Sequence, residues 1–268
     1  MIGYRDKTKD IPEDKYLFSV TSMLNFDNNK SEFFNRVLLN NPTNTISKNT
    51  ILGTIIHHLI ETVLTNKTTS LDEINNYIDS FSSELLYEDL DWVKQKFLEM
   101  KDYVVSYYDN RFVKPDKVEY NIIQQVSENV FIGGTLDCLE ADGELKDFKT
   151  TTQLSQIQTI SPNYKLQLHT YAYLLRLQGI NVNTLTIEYI RVPETNRVSE
   201  ITGKPLKDYP CQIYAISELI DEELIENIKN KIQIISEQIE FILKNPNTLW
   251  LFAQDVNLKE YNGIKTIS

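Results

Sequence analysis

Two aspartates and a lysine flank a predicted turn in the segment FIGGTLDCLEADGELKDFKT, residues 131–150. They are Asp137, Asp147 and Lys149. Carboxylates can hold a divalent cation, because Mg²⁺ typically takes one or two of them and completes its coordination with water and phosphate oxygens. An ammonium group beside them can balance their charge or stabilise a negatively charged substrate. The residue types indicate metal-assisted chemistry on a phosphate, and an exposed Asp–Lys pair on a solvated hairpin is the alternative.

The length of the turn decides whether the two aspartates meet. A two-residue loop at 142–143 would place Asp137 opposite Phe148, whereas a three-residue loop with Gly143 left-handed places Asp137 directly opposite Asp147. We predict the second register, because it separates an apolar face from a polar face: Leu136, Cys138 and Phe148 against Thr135, Asp137, Asp147 and Lys149. Opposed like charges destabilise a sheet by up to about 1 kcal/mol. A bound cation would compensate them.

The elements that position these residues follow from the hydrophobic periodicity, which changes near Pro115. Upstream, the pattern predicts helices over 21–41, 47–65, 70–86 and 89–112. Downstream, it predicts an antiparallel meander of three strands over 117–127, 130–140 and 144–150, a helix from Ser161 to Gly179, strands over 184–192 and 211–216, and a helix over 217–244. We therefore expect one α/β (α+β) domain over 1–268, with a mainly helical N-terminal segment over 1–115 and a sheet-containing core over 116–268.

Composition excludes several classes of protein. A chain of 268 residues with 41% hydrophobic residues can bury a large core. The net charge of −11 argues against a protein that coats nucleic acid, and predicts that any such binding is confined to one groove and weakens with salt. Two cysteines are too few for a disulfide framework or a four-cysteine metal site. We see no membrane span and no signal peptide, and expect a cytoplasmic protein.

Four motifs resemble the PD-(D/E)XK nuclease superfamily, in its RecB-like and phage exonuclease branch. GGTLD places the first acidic residue at Asp137, and DFKT places the (D/E)-x-K element at 147–149. QLHTY on the following helix matches Q-x-x-x-Y at Gln167 and Tyr171, and LGTIIHHLIE matches a helix motif whose metal-contacting histidine falls on His57. The N-terminal FSVTSML also resembles the entry segment often seen in that branch, and together the matches span about residues 18–175. The third acidic position holds Asp rather than the commoner Glu, which the motif allows.

The resemblance implies a restriction-endonuclease-like core with a central mixed sheet flanked by helices, plus an N-terminal helical elaboration. It also implies a site for Mg²⁺ or Mn²⁺, without an iron–sulfur cluster, whose ligands would be His57, Asp137, Asp147 and the backbone carbonyl of Phe148. Lys149 would orient or deprotonate the attacking water, or stabilise charge in the transition state. Gln167 and Tyr171 lie four residues apart on one helical face, so they can contact substrate or order the lysine.

The function implied is a metal-dependent DNA nuclease, an exonuclease in recombination, repair or phage DNA processing. Its partners would be DNA, as single strands or duplex ends, and a recombination or single-strand annealing protein, in the host cytoplasm if the chain is phage-encoded. Two alternatives stay open. One is a catalytically inactive nuclease fold that serves as a DNA-binding or assembly subunit. The other is an unrelated acidic partner-binding module.

Several residues near these motifs have a structural and a functional interpretation. Glu119 on the first strand of the meander is predicted to be a surface residue rather than a metal contact. Tyr164 and Tyr173 are predicted to be core residues rather than platforms on which nucleotide bases stack. His169 is predicted to be peripheral, and His58 points about 100° away from His57, so the two cannot share one site.

Overall fold

The computed structural model describes residues 11–12, 14–39, 46–153, 158–194, 198–199 and 201–252. The helices are α1 (Val20–Asn25), α2 (Lys30–Leu39), α3 (Lys48–Leu64), α4 (Leu71–Asp79), α5 (Tyr87–Asp109), α6 (Pro162–Leu177) and α7 (Glu222–Lys244). The strands are β1 (Tyr16–Ser19), β2 (Pro115–Gln125), β3 (Val130–Glu140), β4 (Glu144–Thr151), β5 (Thr184–Arg191) and β6 (Ile213–Leu219). A 3₁₀ helix, Pro246–Leu251, follows α7. Within these ranges no helix is both long and apolar enough to cross a membrane.

The six strands form one mixed sheet, which confirms the predicted fold class. β2, β3 and β4 make the predicted antiparallel meander, β4 pairs parallel with β5, and β6 pairs antiparallel with β5. Helices pack against the sheet in two hydrophobic clusters. α1, α2, α6 and α7 belong to one cluster, and α3, α4 and α5 belong to the other. A sheet with an apolar surface on both sides needs this cover to exclude water.

The central strand β3 has a gap along one of its edges. β2 pairs with β3 over nearly its whole length and so occupies one edge. The other edge is shared by β1, which pairs parallel with residues 130–133, and β4, which pairs with Cys138 and Leu139. Between these pairings, residues 134–137 have no strand partner on that edge among the described residues. β4 thus separates from β3 at the position of Asp137.

The turn between β3 and β4 has the predicted conformation. Gly143 has φ +87°, and its N–H donates to the carbonyl of Glu140 at 3.0 Å. The pairs Cys138↔Lys146 and Leu139↔Leu145 confirm the three-residue loop, and extended by one step they set Asp137 opposite Asp147.

The predicted apolar face is wrong for one of its members. Cys138 and Phe148 pack with α3 and α5, but Leu136 belongs to the cluster of α6 and α7. The strand pair is distorted between them. Glu119, which lies opposite Asp137 in the register, has φ +47°, outside the β region, so the alternation of faces does not continue through this point.

Three predicted helices have other limits, and one strand was not predicted. The helix predicted over 21–41 is two helices, because the sequence NFDNN at 25–29 forms a turn and the Asn29 side chain accepts from the Glu32 N–H at the start of α2. Residues 40–41 lie outside the described ranges. The helix predicted over 70–86 ends at Asp79. The helix predicted from 217 begins at Glu222, because residues 217–219 extend β6 and Asp221 caps α7. β1 is the additional strand.

Candidate active site

Asp137 occupies the gap where β4 leaves β3. Its Oδ2 accepts a hydrogen bond of 2.7 Å from the backbone N–H of Phe148 on β4. The carboxylate therefore satisfies a strand N–H that would otherwise require a backbone partner. This bond fixes the side chain of Asp137 relative to the backbone of β4.

His57 reaches the same place from α3. That helix begins after the N-cap Ser47 and buries one apolar side, which leaves His57 directed at the sheet. Its Nε2 lies 2.7 Å from the carbonyl oxygen of Phe148, and its Nδ1 lies 3.5 Å from Oδ1 of Asp137. Burial acts to lower the pKa of His57, but the Asp137 carboxylate outweighs it and raises that pKa to about 9. His57 and Asp137 thus attract each other strongly.

Asp147 and Lys149 lie on one face of β4, two residues apart, as predicted. Lys149 Nζ is 2.6 Å from Oδ2 of Asp147, and Gln167 Nε2 donates to Oδ1 of Asp147 at 3.3 Å. Burial raises the pKa of Asp147 to about 6, although Lys149 opposes this shift. Burial would lower the pKa of Lys149, but Asp147 and then Asp137 raise it above its usual value. The lysine is therefore held as an ammonium group against a carboxylate.

The helix α6 brings Gln167 and Tyr171 to the sheet on one face. α6 begins where it was predicted, with Ser161 as N-cap and Pro162 in the first turn. Gln167 contacts Asp147, whereas Tyr171 is only 4% exposed and lies against β3. A Cβ atom at Gly134 would lie 2.5 Å from the hydroxyl oxygen of Tyr171, so only glycine permits this approach. Tyr171 thereby sets the distance between α6 and the strand that carries Asp137.

Three side chains lie close enough to share one metal ion. Ligand atoms of His57, Glu119 and Asp137 all lie within 4.8 Å of one another. Glu119, predicted to be a surface glutamate rather than a metal contact, has a side chain that is 20% exposed, and its Oε1 lies 4.0 Å from Nδ1 of His57. The register of the β2–β3 hairpin was the signal that could have found it, since this register sets Glu119 opposite Asp137. Asp147 lies outside this group of three, and its carboxylate contacts Lys149 and Gln167 instead.

The other two histidines have structural contacts away from this group. His58 Nε2 lies 2.8 Å from the hydroxyl of Thr69. His169 is fully buried, with Nδ1 2.7 Å from the carbonyl of Lys165 and Nε2 accepting from the Asp221 N–H at 2.9 Å. His169 thus joins α6 to the start of α7. The contacts of His58 and His169 do not involve Asp137 or Asp147.

The fold and the site together define a class of protein. A mixed sheet flanked by helices, with two aspartates and a lysine where neighbouring strands separate, suits metal-assisted hydrolysis of phosphodiesters. The sequence profile of the PD-(D/E)XK nuclease superfamily matches residues 17–245. The chain belongs to this superfamily, whose members are nucleases that use divalent metals.

Solved structures align with the chain at low sequence identity. A candidate exonuclease from Eubacterium rectale aligns with 10% identity and a TM-score of 0.51, over 95% of this chain and 89% of that one. An alkaline exonuclease from Laribacter hongkongensis aligns with 13% identity and a TM-score of 0.34, over 71% of this chain and 93% of that one. The same exonuclease in complex with dAMP aligns with the same identity and TM-score. No curated protein sequence matched the chain.

Proposed function

We propose that this chain is a divalent-metal-dependent deoxyribonuclease that acts as an exonuclease in DNA recombination, repair or phage DNA processing. The observation that carries the proposal is the convergence of Asp137, Asp147 and Lys149 at the point where β4 separates from β3. Membership of the superfamily supports a nuclease. The resemblance of the four motifs to the RecB-like and phage exonuclease branch favours exonuclease over endonuclease action.

The residues of the site fit a divalent cation. His57, Glu119 and Asp137 offer an imidazole nitrogen and carboxylate oxygens within 4.8 Å of one another, and the carbonyl oxygen of Phe148 lies 2.7 Å from His57. We assign these four residues and the adjacent Asp147 to the metal site. Carboxylate-rich sites suit Mg²⁺ or Mn²⁺. When bound, the cation would polarise a phosphoryl oxygen and lower the pKa of the attacking water.

The remaining residues position the reactants. Asp147 holds Nζ of Lys149 at 2.6 Å, and Gln167 holds Asp147. The amine of Lys149 would orient or deprotonate the attacking water, or stabilise the negative charge that develops on the phosphoryl oxygens. Gln167 and Tyr171 would keep α6 in place and contribute to substrate contact.

The substrate and setting follow from the same reasoning. We propose DNA, as single strands or duplex ends, as the substrate. A recombination or single-strand annealing protein is the proposed partner, and the cytoplasm is the proposed location. The net charge of −11 confines the interaction with phosphates to this site and its surroundings.

A cleavage assay tests the proposed function. Purified protein is incubated with end-labelled linear DNA and with circular DNA, in the presence of Mg²⁺, Mn²⁺ or EDTA. Wild-type protein should degrade linear DNA only with metal and leave circles intact. Asp147→Asn and Lys149→Ala should each lower the rate by at least about 100-fold, because each removes a group used in the transition state.

Two surface substitutions serve as matched controls. Asp102→Asn and Lys229→Ala change the same residue types on exposed surfaces away from the site, and both should retain wild-type rates. If no metal supports cleavage while DNA binding survives Asp147→Asn and Lys149→Ala, the chain is a binding or assembly subunit instead.

A further inference from the structure

A cavity of about 620 Å³ opens beside Lys149. Its walls include Thr151 at the end of β4, Tyr189 on β5, and Thr159, Ser161 and Tyr164 at the start of α6. Lys149 both lines the cavity and contacts Asp147, which links the cavity to the proposed metal site. The volume falls within the range of roughly 300–1,000 Å³ that is typical of small-molecule sites.

The lining matches a nucleoside better than a phosphate. Among the described lining residues, Lys149 is the one charged side chain, and the others offer hydroxyl, amide, aromatic and proline surfaces. The ring of Tyr164 lies 5.0 Å from Nζ of Lys149 and is half-buried, whereas Tyr189 is only 4% exposed and serves as wall. Because Nζ of Lys149 lies over the Tyr164 ring, a ligand whose negative charge lies at Lys149 would have its flat neutral body within reach of that ring.

We propose that this cavity binds the nucleoside of an unpaired nucleotide next to the phosphate that is cleaved, with its base stacked on Tyr164. The inference rests on the proposed function and specifies its substrate as single-stranded DNA ends. A base inside a duplex is paired and stacked, so it must be extruded before it can enter such a cavity. An unpaired base enters without that cost and gains the stacking that aromatic side chains offer to any base.

Abasic substrates test the proposal directly. Cleavage rates are measured for a single-stranded oligonucleotide, for the same oligonucleotide with an abasic residue at the 3′ or the 5′ terminal position, and for the blunt duplex. Wild-type protein should cleave the intact strand at least about fivefold faster than one of the abasic strands, which is the lower end of the effect of losing one stacking contact. It should also cleave the intact strand faster than the duplex.

The base-to-abasic rate ratio is then compared among variants. Tyr164→Leu should reduce the ratio to about one, because it removes the ring and largely keeps the volume. Tyr164→Phe keeps the ring and should retain the ratio. Tyr173→Leu, on the same helix but lining a different surface groove, should also retain it. The ratio is insensitive to any general effect of Tyr164 on Lys149, because such an effect slows both substrates alike.

The outcomes separate this inference from the proposed function. Equal metal-dependent cleavage of intact, abasic and duplex substrates overturns the cavity assignment and leaves the nuclease standing. A ratio that survives in Tyr164→Leu also overturns the assignment. Absence of cleavage by wild-type protein with every metal overturns both. Thermal unfolding of each variant shows whether a lost ratio comes from an altered fold.

Discussion

Glu119 has a strained backbone at the place where its side chain approaches His57 and Asp137. Its φ of +47° is uncommon for an L residue inside a strand, and its carboxylate approaches His57 and Asp137. Such strain persists only where the surrounding structure imposes it, and it is frequent at functional sites. Glu119 lies between Val118 and Tyr120, which both pair with β3.

The charge of Glu119 should matter for metal affinity. Glu119→Gln removes one negative charge from the proposed ligand group and keeps the size of the side chain. We expect the metal concentration for half-maximal cleavage to rise by at least about tenfold, the loss seen when even outer partners of a metal are removed. The cleavage rate is measured as a function of Mn²⁺ and of Mg²⁺ concentration to obtain this midpoint. An unchanged midpoint would remove Glu119 from the ligand set.

The backbone of Glu119 should matter for stability in a way that is separable from its charge. A left-handed conformation costs an L residue roughly 1–2 kcal/mol, and glycine avoids that cost. The free energy of unfolding of Glu119→Gly should therefore be about 1 kcal/mol higher than that of Glu119→Ala. Both variants should lose activity. Urea denaturation of the two variants compares them. If Glu119→Ala is instead the more stable of the two variants, the backbone at residue 119 is not strained.

At the scale of elements, the contact between β3 and α6 fixes the position of Asp137 relative to Asp147 and Lys149. β3 carries Asp137, and α6 carries Gln167, which holds Asp147. The two elements approach each other at Gly134 and Tyr171, where a Cβ atom would lie 2.5 Å from the tyrosine hydroxyl oxygen. A small displacement of α6 would therefore be transmitted to Asp147 and from there to Lys149.

A methyl group at this contact should displace α6. Gly134→Ala should destabilise the protein by about 1–3 kcal/mol through overpacking and lower the cleavage rate. Gly53→Ala on α3 is the matched control, since its new Cβ meets Thr150 only at 3.4 Å and alanine favours a helix. That control should be neutral or slightly stabilising. Thermal unfolding and cleavage rates are measured for both, and equal stability of the two variants would contradict the close approach.

At the scale of the whole molecule, a buried cluster of charges joins four elements of the chain. Glu140 on β3 and Glu188 on β5 are 1% and 2% exposed. Arg111, just after α5, contacts both carboxylates, and Lys146 on β4 lies 3.2 Å from Glu140 and 3.5 Å from Glu188. Tyr108 on α5 donates to Glu188 at 2.7 Å. Because every charge here is paired, removal of one cation leaves a buried carboxylate without full compensation.

Arg111→Met should destabilise the protein by about 3–5 kcal/mol, the usual effect of breaking a buried ion pair from one side. Arg176→Met is its control, because Arg176 pairs with Glu222 at 2.7 Å on the exposed surface, where solvent screens the pair and its contribution to stability is small. Guanidinium denaturation gives both free energies. If Arg111→Met lowers the free energy of unfolding no more than Arg176→Met does, the charge cluster is exposed to solvent.

The local features of the site could be predicted from sequence because they depend on neighbouring residues. Gly143 fixes the β3–β4 turn, and the turn fixes which residues oppose each other across a short hairpin. Ser161 and Pro162 mark the start of α6 for the same local reason. The motifs also indicated the superfamily, because they keep their order and spacing along the chain.

Other features depend on contacts between residues far apart in sequence. β1 is four residues long and becomes a strand by pairing with residues 130–133 of β3, which lie far along the chain. Glu119 lies between two residues that pair with β3, whereas periodicity alone presents it as a surface glutamate. The carboxylate of Asp147 turns towards Lys149 and Gln167 because α6 packs there.

The sequence by itself determined the superfamily, the opposition of Asp137 and Asp147, and the presence of Lys149 beside them, since turn chemistry and strand alternation act over a few residues. Only the tertiary structure decided that Glu119 joins His57 and Asp137, that Leu136 faces the opposite cluster, and that a cavity opens beside Lys149. These depend on how separate helices and strands pack together, and no local pattern specifies that packing.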